Sequence, residues 1–137
     1  MDASARAMVT YVVSRWGEPT QTFVRREAAA VVAAGGAVQI LSIRKPVDTE
    51  SNLPTRHLGP LRVLGAAALT ILRRPCRSVA LVGRVVRQSA HRNLLPQLWA
   101  CFVGLAWASR VPRTDLVHSH FGWVSATATW AMASVTG

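Results

Sequence analysis

Asp115-Leu116-Val117-His118-Ser119-His120-Phe121-Gly122 is an apolar run that closes on two histidines, an aromatic and a glycine. Residues 123–137 follow, with the small-residue pattern of a helix over 125–135. The stretch therefore reads as strand, tight turn and helix start. In open α/β sheets, ligands sit outside the carboxyl ends of the strands. If the chain builds such a sheet around this strand, His118, His120, Phe121 and Gly122 lie on its working edge.

The amino-terminal part supplies neighbours for it. Residues 7–14 (Ala-Met-Val-Thr-Tyr-Val-Val-Ser) are β-branched and aromatic, as in a strand buried on both faces of a parallel sheet. Gly17 and Pro19 break that strand, and Thr20 or Thr22 is placed to cap the next helix. The helix is predicted over 23–34. Phe23, Ala30, Val31 and Ala34 fall on its apolar side, Arg25 and Arg26 face water, and Gly35-Gly36 forms a left-handed stop. Residues 37–43 are a second strand, which completes a β-α-β unit.

The middle of the chain reads differently. Residues 44–60 are a loop rich in Pro, Asp, Glu, Ser and Asn. Helices are predicted over 61–74, 78–92 and 94–110. Pro75 stops the first and is able to start the second. In the second, Val79, Val82 and Val86 form one face and Arg84, Arg87 and His91 another. The third is apolar nearly all round, so it is buried or half-inserted at an interface. The pattern is β-α-β, a helical insert, then β-α, with three strands. That is a thin sheet, and we expect the front part of a larger α/β domain.

Half of the 137 residues are hydrophobic, which excludes a disordered chain. The net charge is +10, and its distribution is one-sided. Between Glu50 and Asp115 there is no acidic residue but ten Arg, among them Arg77, Arg84 and Arg87. Such a block attracts phosphates, and with an apolar face beside it points to an anionic membrane surface. The other reading is an ordinary solvated face. Nucleic acid calls for interleaved exposed aromatics or a known module, and neither is present, so no nucleic-acid partner is expected. Cys76 and Cys101 have no CxxC spacing, and no apolar run approaches the ~20 residues of a membrane-spanning helix. A cytoplasmic setting is expected, with peripheral attachment at the inner face of the plasma membrane as a variant.

The chemistry is concentrated at two places. His118 and His120 are two apart on a strand and share a face. Cys76, Cys101, His57 and His91 show no spacing that adds further ligands, so no metal is expected. His120, nearer the carboxyl end, is the better ligand contact. His118 is a supporting or core residue. The loop 15–22 has no phosphate-binding glycine motif, but its hydroxyls and amides at a helix start favour anions, with Arg15 adding charge. An ordinary turn explains it too. If the first and last strands are neighbours, this loop and His120-Phe121-Gly122 share one crevice.

Val12-Val13-Ser14-Arg15-Trp16-Gly17-Glu18-Pro19-Thr20-Gln21-Thr22-Phe23-Val24-Arg25-Arg26-Glu27 resembles the opening of bacterial family-4 glycosyltransferases of the GT-B fold. These read as a strand, Ser-Arg-Phe-Pro, Ser/Thr-Glu-Thr-Phe and a helix with Arg-Glu. The likeness continues at Gly35-Gly36-Ala37-Val38 and through Ser42-Ile43-Arg44, at Arg73-Arg74-Pro75, and at 115–122, where the family has a His-Ala-His-Phe strand end. Gln21 stands where the family has Glu, and Ala37 where it has His.

The resemblance implies an incomplete, Rossmann-like N-terminal domain over 1–137, on the acceptor side. Arg15, Gly17, Thr20, Thr22, His120, Phe121 and Gly122 would contact a glycan or lipid-linked acceptor. Arg77, Arg84 and Arg87 would meet the membrane. The family's catalytic histidine loop and its nucleotide-sugar-binding C-terminal domain would lie beyond Gly137. On that footing the chain holds no cofactor or catalytic residue and does not turn over alone. The alternative is a non-enzymatic basic α/β module that binds anionic membranes.

Overall fold

In a computed structural model the protein is α/β with a four-stranded, all-parallel sheet of Rossmann-like type. The structure describes residues 7–47, 52–89, 93–111, 115–120 and 122–136. These divide into two compact units, one containing the sheet and the other a set of helices.

The sheet unit begins with β1 (Met8–Val13), whose carboxyl half is buried, as β-branched residues with no polar alternation require. A short 3-10 turn (Pro19–Gln21) leads into α1 (Thr22–Ala33), and β2 (Ala37–Ser42) runs parallel to β1 from Met8↔Ala37 to Val13↔Ser42. β3 (Thr55–Arg56) adds to the far side of β2 at Ile40↔Thr55. β4 (Leu116–Ser119) pairs with β1 from Val9↔Leu116 to Val12↔Ser119. The order is β3-β2-β1-β4, so the first and last strands are neighbours. The core under α1 is Tyr11, Val13, Trp16, Val24, Ala28, Val38 and Ile40.

Several expectations are corrected. The loop 44–60 contains β3, which makes four strands, not three. Thr20 and Thr22 do not cap α1. Gln21 is the N-cap without a side-chain bond, because the 3-10 turn, closed by Gln21 N–H donating to the Glu18 carbonyl at 3.0 Å, brings the chain in already coiled. The buried face of α1 is Val24 and Ala28, with Val31 packed beside them, while Phe23 is 46% exposed. Gly35 does stop the helix, at φ +87°. Its N–H donates to Val32 O and that of Gly36 to Val31 O, each at 3.0 Å, the paired bonds of a Schellman stop.

The helical unit comprises α2 (Pro60–Arg73), α3 (Pro75–Gln88), α4 (Leu94–Arg110) and α5 (Val124–Thr136). The apolar helix α4 is its core element. Ala100, Cys101, Val103, Leu105, Ala106 and Trp107 are all buried. A Cβ on Gly104 would fall 2.3 Å from Ala128 O, so the α4 and α5 backbones touch where neither side has a bulky group. Thr70 Oγ1 lies 2.8 Å from the Leu105 carbonyl, which ties α2 to α4. α3 starts at Pro75, which sits in its first turn, and buries Ser78, Leu81 and Val85. The predicted apolar face of Val79, Val82 and Val86 is thus the outer one, with Val79 66% exposed. The leucine sets the phase, because burying it removes more apolar area than burying a valine. Among the described residues no helix is long and apolar enough to cross a membrane.

Candidate functional site

The carboxyl ends of β1 and β4 lie on one edge of the sheet, because the strands are parallel neighbours. Chain order reverses there. β1 leads to β2 and β3 on one side, and β4 lies on the other. This is the topological switch point of an open α/β sheet, where a crevice forms.

His118 pairs in register with Tyr11, and His120 follows two residues on, on the same face. The ring centroids of His118 and His120 are 4.4 Å apart. Tyr11 stacks on His120 at 5.4 Å with planes 16° apart, and Phe23 meets the same imidazole edge-on at 5.4 Å. Helix α1 adds a carboxylate. Glu27 Oε2 is 3.2 Å from His120 Nε2, and Glu27 Oε1 accepts a 3.0 Å hydrogen bond from the Tyr11 hydroxyl. The His120 side chain is 10% exposed and that of Glu27 43%, so the cluster is rooted in the core and open at its rim.

These surroundings govern protonation. Burial lowers the His120 pKa below the usual imidazole value. The Glu27 carboxylate opposes the shift, and the neighbouring His118 adds to it. Burial, with the hydrogen bond and charge of Glu27, pushes Tyr11 up to about 12. Burial thus favours the neutral forms of the His120 imidazole and the Tyr11 phenol.

The loop 14–21 leaves the same edge. Trp16 is wholly buried, its N–H donates to Ser42 Oγ at 3.0 Å, and its carbonyl accepts from Val47 N–H at 2.9 Å. Arg25 stacks over the Trp16 ring at 5.5 Å. Gly17 takes φ +96°, which lets the chain turn directly after the tryptophan. Arg15 is half-buried, and Thr22 is exposed at the first position of α1. Thr20 belongs to the 3-10 turn. The Gln21 side chain is buried, and neither polar atom of its amide has a hydrogen-bond partner among the described residues.

Of the residues expected to contact a ligand, Arg15, Gly17, Thr22 and His120 thus belong to the sheet unit and its edge. Phe121 lies outside the described residues. Gly122 is exposed and belongs to the helical unit, just before α5. Arg77, Arg84 and Arg87 are all exposed on α3. Sequence reading passed over Glu27 and Tyr11. The available signal was that Phe23 and Glu27 stand one helical turn apart, flanking the Val24–Ala28–Val31 stripe on the side that meets β4.

A second cleft belongs to the helical unit. About 370 Å³ lies between Val85, Gln88, Asn93, Gln97, Trp123 and Trp130. Trp123 there adopts φ +76°, a strained value for a side chain of that size.

Comparison with protein-family models, with curated proteins and with solved structures gives no match for this chain.

Proposed function

We propose that the chain is the acceptor-side domain of a sugar-transfer enzyme of the GT-B type. Joined to a donor-binding domain, it would present a glycan or lipid-linked acceptor to a nucleotide-sugar. The observation that supports this most is the cluster at the switch point. His118, His120 and Glu27 gather at the carboxyl end of β4 beside the exit loop of β1, the two segments that carry the family resemblance. A carboxylate and a neutral imidazole, both hydrogen-bond acceptors with a reachable rim, suit a ligand rich in hydroxyl groups. Transfer itself would need groups outside this chain.

The test is binding by the chain alone. Native mass spectrometry against a panel of lipid-linked oligosaccharides should show complexes, while nucleotide-sugars neither bind nor turn over. His120→Ala should weaken acceptor binding about tenfold or more, the loss of one or two polar contacts. Absence of acceptor binding across the panel would overturn the reading. So would an His120→Ala variant that loses stability but binds normally.

A second reading has its own support. Helix α2 carries two apolar faces. One is buried through Val63, Ala66, Ala67 and Thr70. The other is an exposed stripe of Leu61, Leu64, Ala68 and Leu72, with Leu61 86% and Leu72 79% exposed. Arg62 and Arg73 lie along one side of it. An exposed leucine stripe with arginines along one side fits the surface of an anionic bilayer. The two readings are compatible, since a lipid-linked acceptor is met at a membrane.

A further inference from the structure

Glu27, His118 and His120 each offer one ligand atom, and these atoms lie within 4.8 Å of one another. Sugar binding calls for no such convergence. We propose that the three residues bind a divalent transition-metal cation of the zinc class, with a fourth position left open to water or a ligand oxygen. This inference does not depend on the sugar-transfer reading.

The geometry supports it in three ways. A tetrahedral zinc-class ion sits about 2.0–2.2 Å from its nitrogen and oxygen ligands, which holds donor atoms about 3.3–3.6 Å apart. His120 Nε2 and Glu27 Oε2 stand at 3.2 Å, close to that separation before any ion enters. His118 is exposed, and its ring touches only the edge of the cluster, against Tyr11 at 5.8 Å and His120 at 4.4 Å, which leaves it room to turn toward the other two donors. His118 lies in β4, paired in register with Tyr11 of β1, His120 follows directly after the strand's last residue, and the third ligand comes from α1. Such a site clamps a helix to the strand edge.

The supporting contacts are those of a metal site. The Tyr11 hydroxyl bonds Glu27 Oε1 and so orients Oε2 toward His120. Outer contacts of this kind fix a ligand's direction in metalloproteins. Tyr11 also stacks on His120 and fixes the plane of its ring. The donor set selects the ion. Two imidazoles and one carboxylate favour zinc, cobalt or iron over calcium and magnesium, which prefer all-oxygen shells. A plain Glu27–His120 side-chain contact is the competing account. It assigns no part to His118, whose ring stands 4.4 Å from that of His120.

The test uses the tag-free full chain, freed of metal with a chelator and titrated with Zn²⁺ by calorimetry at pH about 7.5, where imidazoles are neutral ligands. One Zn²⁺ should bind per chain with a Kd at or below about 10 µM. Co²⁺ should give the intense visible bands of a four-coordinate site. Zn²⁺ should shift the NMR signals of His118 and His120 and leave those of His57. His118→Ala and Glu27→Gln should each weaken binding at least about tenfold, and Tyr11→Phe should weaken it by up to about tenfold. His57→Ala should not change it. Because His118 is exposed, His118→Ala should keep the metal-free melting temperature, so it decides the matter even where another variant fails to fold. Binding weaker than about 100 µM would overturn the proposal, as would an affinity unchanged in His118→Ala. Either result leaves Glu27 and His120 as a plain side-chain contact.

Discussion

Tyr11 reports on the site by itself, because it is the one tyrosine in the chain. Its hydroxyl is held by Glu27, and its pKa is raised to about 12, first by burial and then by the hydrogen bond and charge of that carboxylate. A raised phenol favours the neutral form in the folded state. Its contribution to stability is therefore whole below pH 10, the unperturbed value, and is lost as pH climbs toward about 12. Tyrosinate absorbance should stay absent in the native protein until well above pH 10 and appear near that value in denaturant. In Glu27→Gln the native midpoint should fall, yet remain above 10, since burial is the larger cause. A native midpoint at the denatured value would show the phenol to be solvated. The two histidines were legible in the sequence, because alternation along a strand puts them on one face whatever the fold. Their partners were not. Tyr11 reads as a core residue of another strand, and Glu27 lies on a helix whose buried face was phased on Phe23 rather than on Val24 and Ala28. On that phase Phe23 and Glu27, one turn apart, would share the buried face; in the structure Val24 and Ala28 take it, and the other two stand at its margin beside His120.

At the level of elements, the helices were well marked and the strand edge was not. The predicted bounds of α4 hold to the residue, and Pro75 divides α2 from α3 as read. Leucine and alanine runs with proline stops carry that information locally. β3 does not. Thr55 and Arg56 have no periodicity to detect, and they become a strand only because Ile40 and Leu41 offer free edge groups. Glycine placement gives a contrast that tests helix packing. Gly104 lets α4 meet α5, and an added Cβ would come within 2.8 Å of Ala131 Cβ as well as against the Ala128 carbonyl. Gly104→Ala should therefore destabilise the protein by about 1–3 kcal/mol, overpacking outweighing the gain in helix propensity. Gly65 on α2 and Gly83 on α3 face open space. Gly65→Ala and Gly83→Ala should each stabilise by up to about 1 kcal/mol. Urea denaturation of the three variants orders them. Equal behaviour would mean that α4 and α5 part more easily than their contact suggests.

For the whole molecule, the order β3-β2-β1-β4 makes the first and last strands neighbours, and charge is the property that remains to be explained. The net charge of +10 arises between Glu50 and Asp115, and this interval supplies α2, α3 and α4. Those helices expose leucines and arginines in turn: Leu61, Leu64 and Leu72 on α2, and Arg77, Arg84 and Arg87 on α3. Two physical contributions to membrane binding follow, and they separate by salt. The arginines act through the surface potential, each contributing about 1 kcal/mol near an anionic leaflet and fading beyond a Debye length. The leucines act through buried apolar area, which salt does not screen. Vesicles containing phosphatidylserine should bind the chain at low salt and release most of it as salt rises. Replacing Arg77, Arg84 and Arg87 together by Gln should cut binding about tenfold to a hundredfold at low salt and have little effect at high salt. Replacing Leu61 and Leu72 by Ser should cut it at both, because neither residue is part of the folded core and the loss is of insertion alone. If neutral and anionic vesicles bind alike, the arginines are a solvated face. If nothing binds at low salt, where attraction is strongest, the leucine stripe belongs to another partner and the membrane reading is wrong.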